Sequence, residues 1–200
     1  PKHLDTMVRR RMVARKLAAF LHTLHRFPQC EAGALGVPGP EATRTELELL
    51  RSDVLPALRG ALTRREYSTI VRWWDDFLCD PRLQRFRPAL LHGDFWYENI
   101  LVDPVTGDVT GVIDFEQSAL GDPAQDFAAL LYHGEEFVEE TIEAYQAAGS
   151  DLGEDFYHRV QRYWELRDFG GVRWAVRYND VEEFCDSIRK LRNGPILLKG

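Results

Sequence analysis

The chain has 200 residues, 44% of them hydrophobic, and a formal net charge of −7, which suffices for one sizeable core or for a large and a small subdomain. Its 28% charged content reads as globular rather than disordered, and no apolar run approaches the ~20 residues that cross a bilayer, so no membrane partner is expected. No Lys or Arg lies between Arg87 and Arg159, while Asp and Glu recur there; this disfavours nucleic acid, whose binding rests on neutralising phosphates, and suits divalent cations or cationic small molecules.

The first residues, PKHLDTMVRRRMVARK, are basic but carry no apolar segment of the kind a leader needs. A cytoplasmic protein is therefore expected. Cys30, Cys79 and Cys185 stand far apart with no zinc-like spacing, and read as reduced, partly buried thiols.

Residues 7 to 26 are expected to form a helix, with Val13, Leu17, Phe20, Leu21 and Leu24 on one face and a basic cluster, Arg9, Arg10, Arg11, Arg15 and Lys16, near its start. QCEAGALGVPGPEA reads as a Gly- and Pro-rich loop without the spacing of a phosphate-binding loop. A helix over about 45–58 follows, which Pro56 is expected to kink or end. Thr63 and Glu66 have capping-box spacing and open the next helix, whose buried stripe is Ile70, Trp74, Phe77 and Leu78. Trp73 and Trp74 read as core.

After Pro88 the period changes. Asn99–Val102 and Val109–Asp114 read as an antiparallel hairpin about the turn DPVTGD. Asp122-Pro123 is expected to open a helix, with Asp122 as N-cap and Gln125 at N3. Helices are expected over about 135–148, with Gly149 as a stop, then over 154–168, 169–178 and 180–192. The fold class is mainly α with a small β-hairpin, an α+β arrangement. It divides into a helical core over 1–87, a loop and hairpin over 88–121, and a helical subdomain over 122–200.

Folding the hairpin brings Asn99 beside Asp114, and Asp94 precedes the first strand by a short loop. Clustered carboxylates repel, by about 4 kcal/mol at ~4 Å and an effective dielectric near 20, unless a cation sits among them. Asp and Asn oxygens suit a hard divalent cation, and Mg²⁺ takes one or two carboxylates together with phosphates and water. Asp94 is then spare, able to orient an attacking hydroxyl and take its proton. Glu98 and Glu116 lie close enough in sequence to be considered.

His92-Gly93-Asp94, then Asn99, then Ile113-Asp114-Phe115 resemble the catalytic and metal-binding motifs of kinase-like enzymes. They are most similar to those of the aminoglycoside phosphotransferase and choline kinase superfamily, as are GDPAQDFA and LAAFLHTLHRFP. The resemblance spans about residues 7 to 190. It implies the C-terminal lobe of a kinase-like fold, with Asp94 as catalytic base and with Asn99 and Asp114 holding Mg²⁺ and, through it, ATP or GTP. His92 is implied to hold the loop, Glu116 to support the metal or substrate, and Asp122 and Asp126 to brace backbone. The C-terminal helices are implied to form the acceptor pocket. There, Trp164 and Asp168, with the Glu-rich run 135–143, are candidate contacts for a small acceptor, cationic or neutral: an aminoglycoside-like molecule, an amino-alcohol or a sugar. The β-rich N-terminal lobe that such enzymes need has no counterpart within the 200 residues and is expected upstream in a longer protein. A pseudokinase-like binding module is the alternative; a metal-dependent hydrolase is disfavoured by the lack of a His-rich cluster.

Overall fold

The computed structural model describes residues 7–198. In chain order its helices are α1 (Met7–His25), α2 (Gln29–Ala34), α3 (Pro40–Ala61), α4 (Arg64–Cys79), α5 (Ala124–Ala128), α6 (Glu135–Ala147), α7 (Phe156–Tyr178), α8 (Val181–Asn193) and α9 (Pro195–Leu198). The strands are β1 (Ala89–Leu91), β2 (Ile100–Val102), β3 (Val109–Val112) and β4 (Ala119–Gly121). The mainly helical class with a small β component is what the sequence led one to expect. No helix among the described residues is long and apolar enough to cross a membrane. The residues group into two compact units, one within Pro1–Pro40 and Phe86–Val160, the other within Glu41–Arg85 and Gln161–Gly200.

In the first unit, α1 buries Val13, Ala14, Leu17, Ala18 and Leu21 and packs on α6, whose buried face is Phe137, Val138, Thr141 and Tyr145. The basic start of α1 and the acidic α6 meet at the rim of this contact. Arg10 pairs with Glu136 at 2.9 Å and Arg11 with Glu140 at 3.1 Å. Part of the Glu-rich run is therefore engaged with α1. The segment expected as loop contains α2, because Ala32 is fully buried. The same segment is pinned to strands, Pro38 O accepting from Leu120 N at 2.8 Å and Gln29 Nε2 donating to Pro88 O at 2.6 Å.

Two antiparallel pairs form where the sequence suggested one. The expected hairpin pairs Ile100 with Val112, Leu101 with Gly111 and Val102 with Val109, with a bulge between Leu101 and Val102. Its turn is held by Asp103 Oδ1, which accepts from Val105 N and Thr106 N at 2.8 and 2.7 Å. The second pair, β1 with β4, matches Ala89 to Gly121 and Leu91 to Ala119.

The second unit surrounds a core that includes Leu50, Val54, Leu58, Trp73, Trp74, Phe77, Phe169, Val172 and Leu191. The Thr63–Glu66 capping box opens α4 as expected, and Arg192 beside Glu66 holds its carboxyl down at about 2. Trp73 and Trp74 are core, the former donating its indole N–H to Glu165 at 2.8 Å. Of the two alternatives for Pro56, ending the helix fails: α3 continues to Ala61, and Pro56 and Ser52, whose carbonyl loses an N–H partner, both lie on its exposed side. The expected break near residue 168 is also absent, and α7 runs through Gly170 and Gly171. Gly171 serves close approach instead, since a Cβ there would lie 2.3 Å from Ser187 Oγ on α8.

Candidate active site

The loop between β1 and β2 carries His92, Gly93, Asp94 and Asn99, and the contacts that hold it lie in the first unit. Asn99 O accepts from Ile113 N at 3.0 Å, extending the β2–β3 ladder by one step and placing Asn99 and Asp114 at the same end. Asn99 Nδ2 donates to the Asp94 backbone carbonyl at 2.9 Å and to Asp94 Oδ2 at 3.1 Å. Both partners are acceptors, so the amide nitrogen must face them, and Asn99 Oδ1 is left open. Asp114 leaves β3 in the left-handed region, at φ 66°, a conformation that Asp tolerates better than most residues. Its exposed side chain makes no hydrogen bond or ion pair among the described residues.

His92 is fully buried and ties the two halves together. Its Nε2 meets Ile113 O at 2.9 Å, and its Nδ1 meets Asp94 N at 3.3 Å. A carbonyl can only accept and an amide N–H can only donate, so the proton sits on Nε2. The ring thus joins the backbone at Asp94 to the residue before Asp114. Phe95 and Phe115 flank it at 5.6 and 4.6 Å, and Phe20 of α1 stacks on Phe95 at 5.6 Å.

The loop is clamped from behind by Asp126 of α5, which is 2% exposed. Its two oxygens accept from His92 N at 2.9 Å and Gly93 N at 3.0 Å. Oδ2 also meets His25 Nε2 at 3.0 Å, and His25 Nδ1 meets the Tyr145 hydroxyl at 2.8 Å. Burial holds the Tyr145 hydroxyl above its ordinary range, which keeps it a donor. Asp122 is also buried, receiving Arg159 Nε at 2.7 Å and Ala124 N at 3.1 Å, and Arg159 donates further to the carbonyls of Glu154 and Leu152. Sequence reading missed His25, Tyr145 and Arg159. His25 had a signal, since it continues the Ala18–Leu21 buried stripe of α1, where a polar side chain needs a partner. Arg159 is the first cation after the long basic-free stretch.

Gly93 has a positive φ of 84°, and a Cβ there would lie 2.1 Å from Gln117 O, a backbone atom. Gly93→Ala is expected to lower stability by about 2–4 kcal/mol through strain and clash. A urea midpoint equal to the parent's would refute this.

The remaining sequence candidates lie as follows. Glu116 is exposed and unpaired among the described residues. Trp164 and Asp168 belong to the second unit. The Arg167 guanidinium covers the Trp164 ring at 3.5 Å and donates to Asp168 at 3.2 Å. Asp168 is buried, and burial pushes its carboxyl up. Among the described residues, no three His, Cys, Asp or Glu side chains gather closely enough to hold a metal by themselves. The donor set at the loop is one amide oxygen and one carboxylate, which fits a cation that draws its remaining ligands from phosphates and water.

Residues 2–163 match the model of a family described as "Phosphotransferase enzyme family". The chain is 31% identical over 142 residues to "Uncharacterized protein YcbJ" of Bacillus subtilis (strain 168), covering 69% of this chain and 44% of that protein. It is 30% identical over 112 residues to viomycin phosphotransferase of Streptomyces vinaceus, covering 55% of this chain and 38% of that one. The chain therefore spans less than half the length of these two relatives. Among solved structures, the GDP and kanamycin complex of APH(2")-IIia superposes with a TM-score of 0.84 at 23% identity, over 95% of this chain and 64% of that one, a likeness of fold.

Proposed function

The chain belongs to the phosphotransferase enzyme family, and on that premise we propose that the full-length protein transfers the terminal phosphoryl group of ATP or GTP to a hydroxyl of a small molecule, acting in the cytoplasm. Asp94 orients the acceptor hydroxyl and takes its proton. Asn99 and Asp114 would hold Mg²⁺, which when bound neutralises charge on the transferred phosphoryl group. His92 and Asp126 keep the loop in register. Glu116 is a supporting group near the metal.

The observation that carries this reading is the Asn99 amide. By donating to both the carbonyl and the carboxylate of Asp94, it fixes the base and turns its own oxygen outward. Positioning and charge neutralisation are what phosphoryl transfer to an alcohol chiefly requires, so a carboxylate of ordinary basicity is enough. The acceptor is a polyhydroxylated and amine-bearing molecule, in keeping with the antibiotic named for one relative and the kanamycin named for one solved neighbour. Trp164 and Asp168 belong to the second unit and have no part in this proposal, Arg167 already engaging both.

The test is a transfer assay on the full-length protein with Mg²⁺, ATP or GTP, and a panel including kanamycin, viomycin, a macrolide, choline and a hexose. The expected result is a phosphorylated acceptor whose formation stops when EDTA removes Mg²⁺. Absence of transfer to every acceptor, with no triphosphate consumed, would favour the non-catalytic binding module instead.

A further inference from the structure

The second unit closes its core on one side of α3 and α7 and leaves a patterned surface beside it. Along α3, Leu50, Val54 and Leu58 are core, while Glu46, Leu49 and Asp53 follow one another at helical spacing on an exposed flank. Along α7, Phe169 and Val172 are core, while Arg173, Val176 and Arg177 face the same flank. These side chains bound an open groove of about 480 Å³. Glu46 pairs with Arg173 across it. Asp53 and Arg177 make no ion pair among the described residues.

The adjoining line of α7 holds Trp174 and Tyr178, four positions apart, with their rings 5.0 Å from each other. Trp174 is 49% exposed and Tyr178 is 61% exposed. Leu49 and Val176, in the groove, are about half exposed as well. The Trp174 N–H finds no hydrogen-bond partner among the described residues. An aromatic ridge thus runs beside a groove with apolar walls, and one guanidinium and one carboxylate are left unpaired at the groove. Trp, Tyr and Arg are the residues that carry most of the energy where proteins meet.

Charge selects the partner. The groove presents two carboxylates and two guanidinium groups. A partner of one sign is repelled by half of it, so nucleic acid and anionic membranes gain nothing there. A fitting partner carries a ridge beside a groove, with the same charges in reverse order. A second copy of the chain, turned about a twofold axis, presents both.

We propose that this face joins two copies of the protein in an isologous dimer. The Trp174–Tyr178 ridge of each copy lies in the groove of the other, against Leu49 and Val176. Asp53 of each pairs with the partner's Arg177. The dimer does not depend on the phosphotransferase reading.

Sedimentation velocity on the full-length protein, over a series of concentrations, tests it. The parent is expected to sediment as a dimer. Trp174→Glu, which puts a charge into the ridge, should weaken dimerisation by about 30-fold or more. Asp53→Arg and Arg177→Asp should each give monomers, because both charge pairs across the axis then become like-charged. Mixing those two variants should restore dimers, since every guanidinium in the mixed pair again meets a carboxylate. All three positions are exposed, so each variant should keep the parental circular-dichroism spectrum. A monomeric parent, a dimer that survives all three substitutions, or charge-reversed variants that stay monomeric when mixed would each overturn the proposal.

Discussion

Asp94→Ala in the full-length protein is expected to lower kcat for phosphoryl transfer by about 10³-fold, the size of a lost general base. Stability should barely change. The Asp94 carboxylate is half-buried and accepts one hydrogen bond, from Asn99 Nδ2 at 3.1 Å. The same nitrogen keeps the Asp94 backbone carbonyl at 2.9 Å, so the substitution leaves it with a partner. The cost is about 1 kcal/mol at most. Asp94→Asn keeps the shape and removes the basicity, and should lose kcat to a similar degree. Single-turnover rates, with thermal unfolding of each variant alongside, make the measurement. A variant that keeps a tenth or more of parental turnover would remove Asp94 from the base role.

The second large effect concerns Asp126, which touches no reacting atom. Asp126→Ala strands the buried N–H of His92 and the part-buried N–H of Gly93 and takes the partner from His25 Nε2. Each buried donor left unsatisfied costs about 1–3 kcal/mol, so the variant should be less stable by about 3–5 kcal/mol. Asp126→Asn should recover part of this, because its single oxygen can still accept while its NH₂ must confront a donor. The urea midpoint should fall while the slope of the transition holds. Under conditions where Asp126→Asn remains folded, kcat should drop as the loop before Asp94 loosens. An Asp126→Ala protein with the parental midpoint would show that water replaces the carboxylate, and that the clamp is not structural.

How much of this was legible in the chain depends on how far apart the partners lie. α1 announces itself by the spacing of Val13, Leu17 and Leu21, and α4 by Thr63 and Glu66, three positions apart. The β2–β3 hairpin follows from the turn chemistry of Asp103 to Asp108, whose bonds span only a few residues. The β1–β4 pair went unread because each strand has three residues and no turn connects them. The break expected between 168 and 169 does not occur in α7, and only α8 packed against Gly171 reveals that a missing side chain is what that contact requires.

By itself the sequence determined the loop motif, the order of its polar residues, and the hairpin that returns Asp114 to Asn99, because each depends on backbone geometry among near neighbours. Tertiary structure alone decided that His25, 101 positions before Asp126, would meet its carboxylate. It also decided that Tyr132 would close an aromatic group begun at Trp96. Such meetings require long stretches of chain to be closed and water to be excluded around the partners, and no local pattern encodes either.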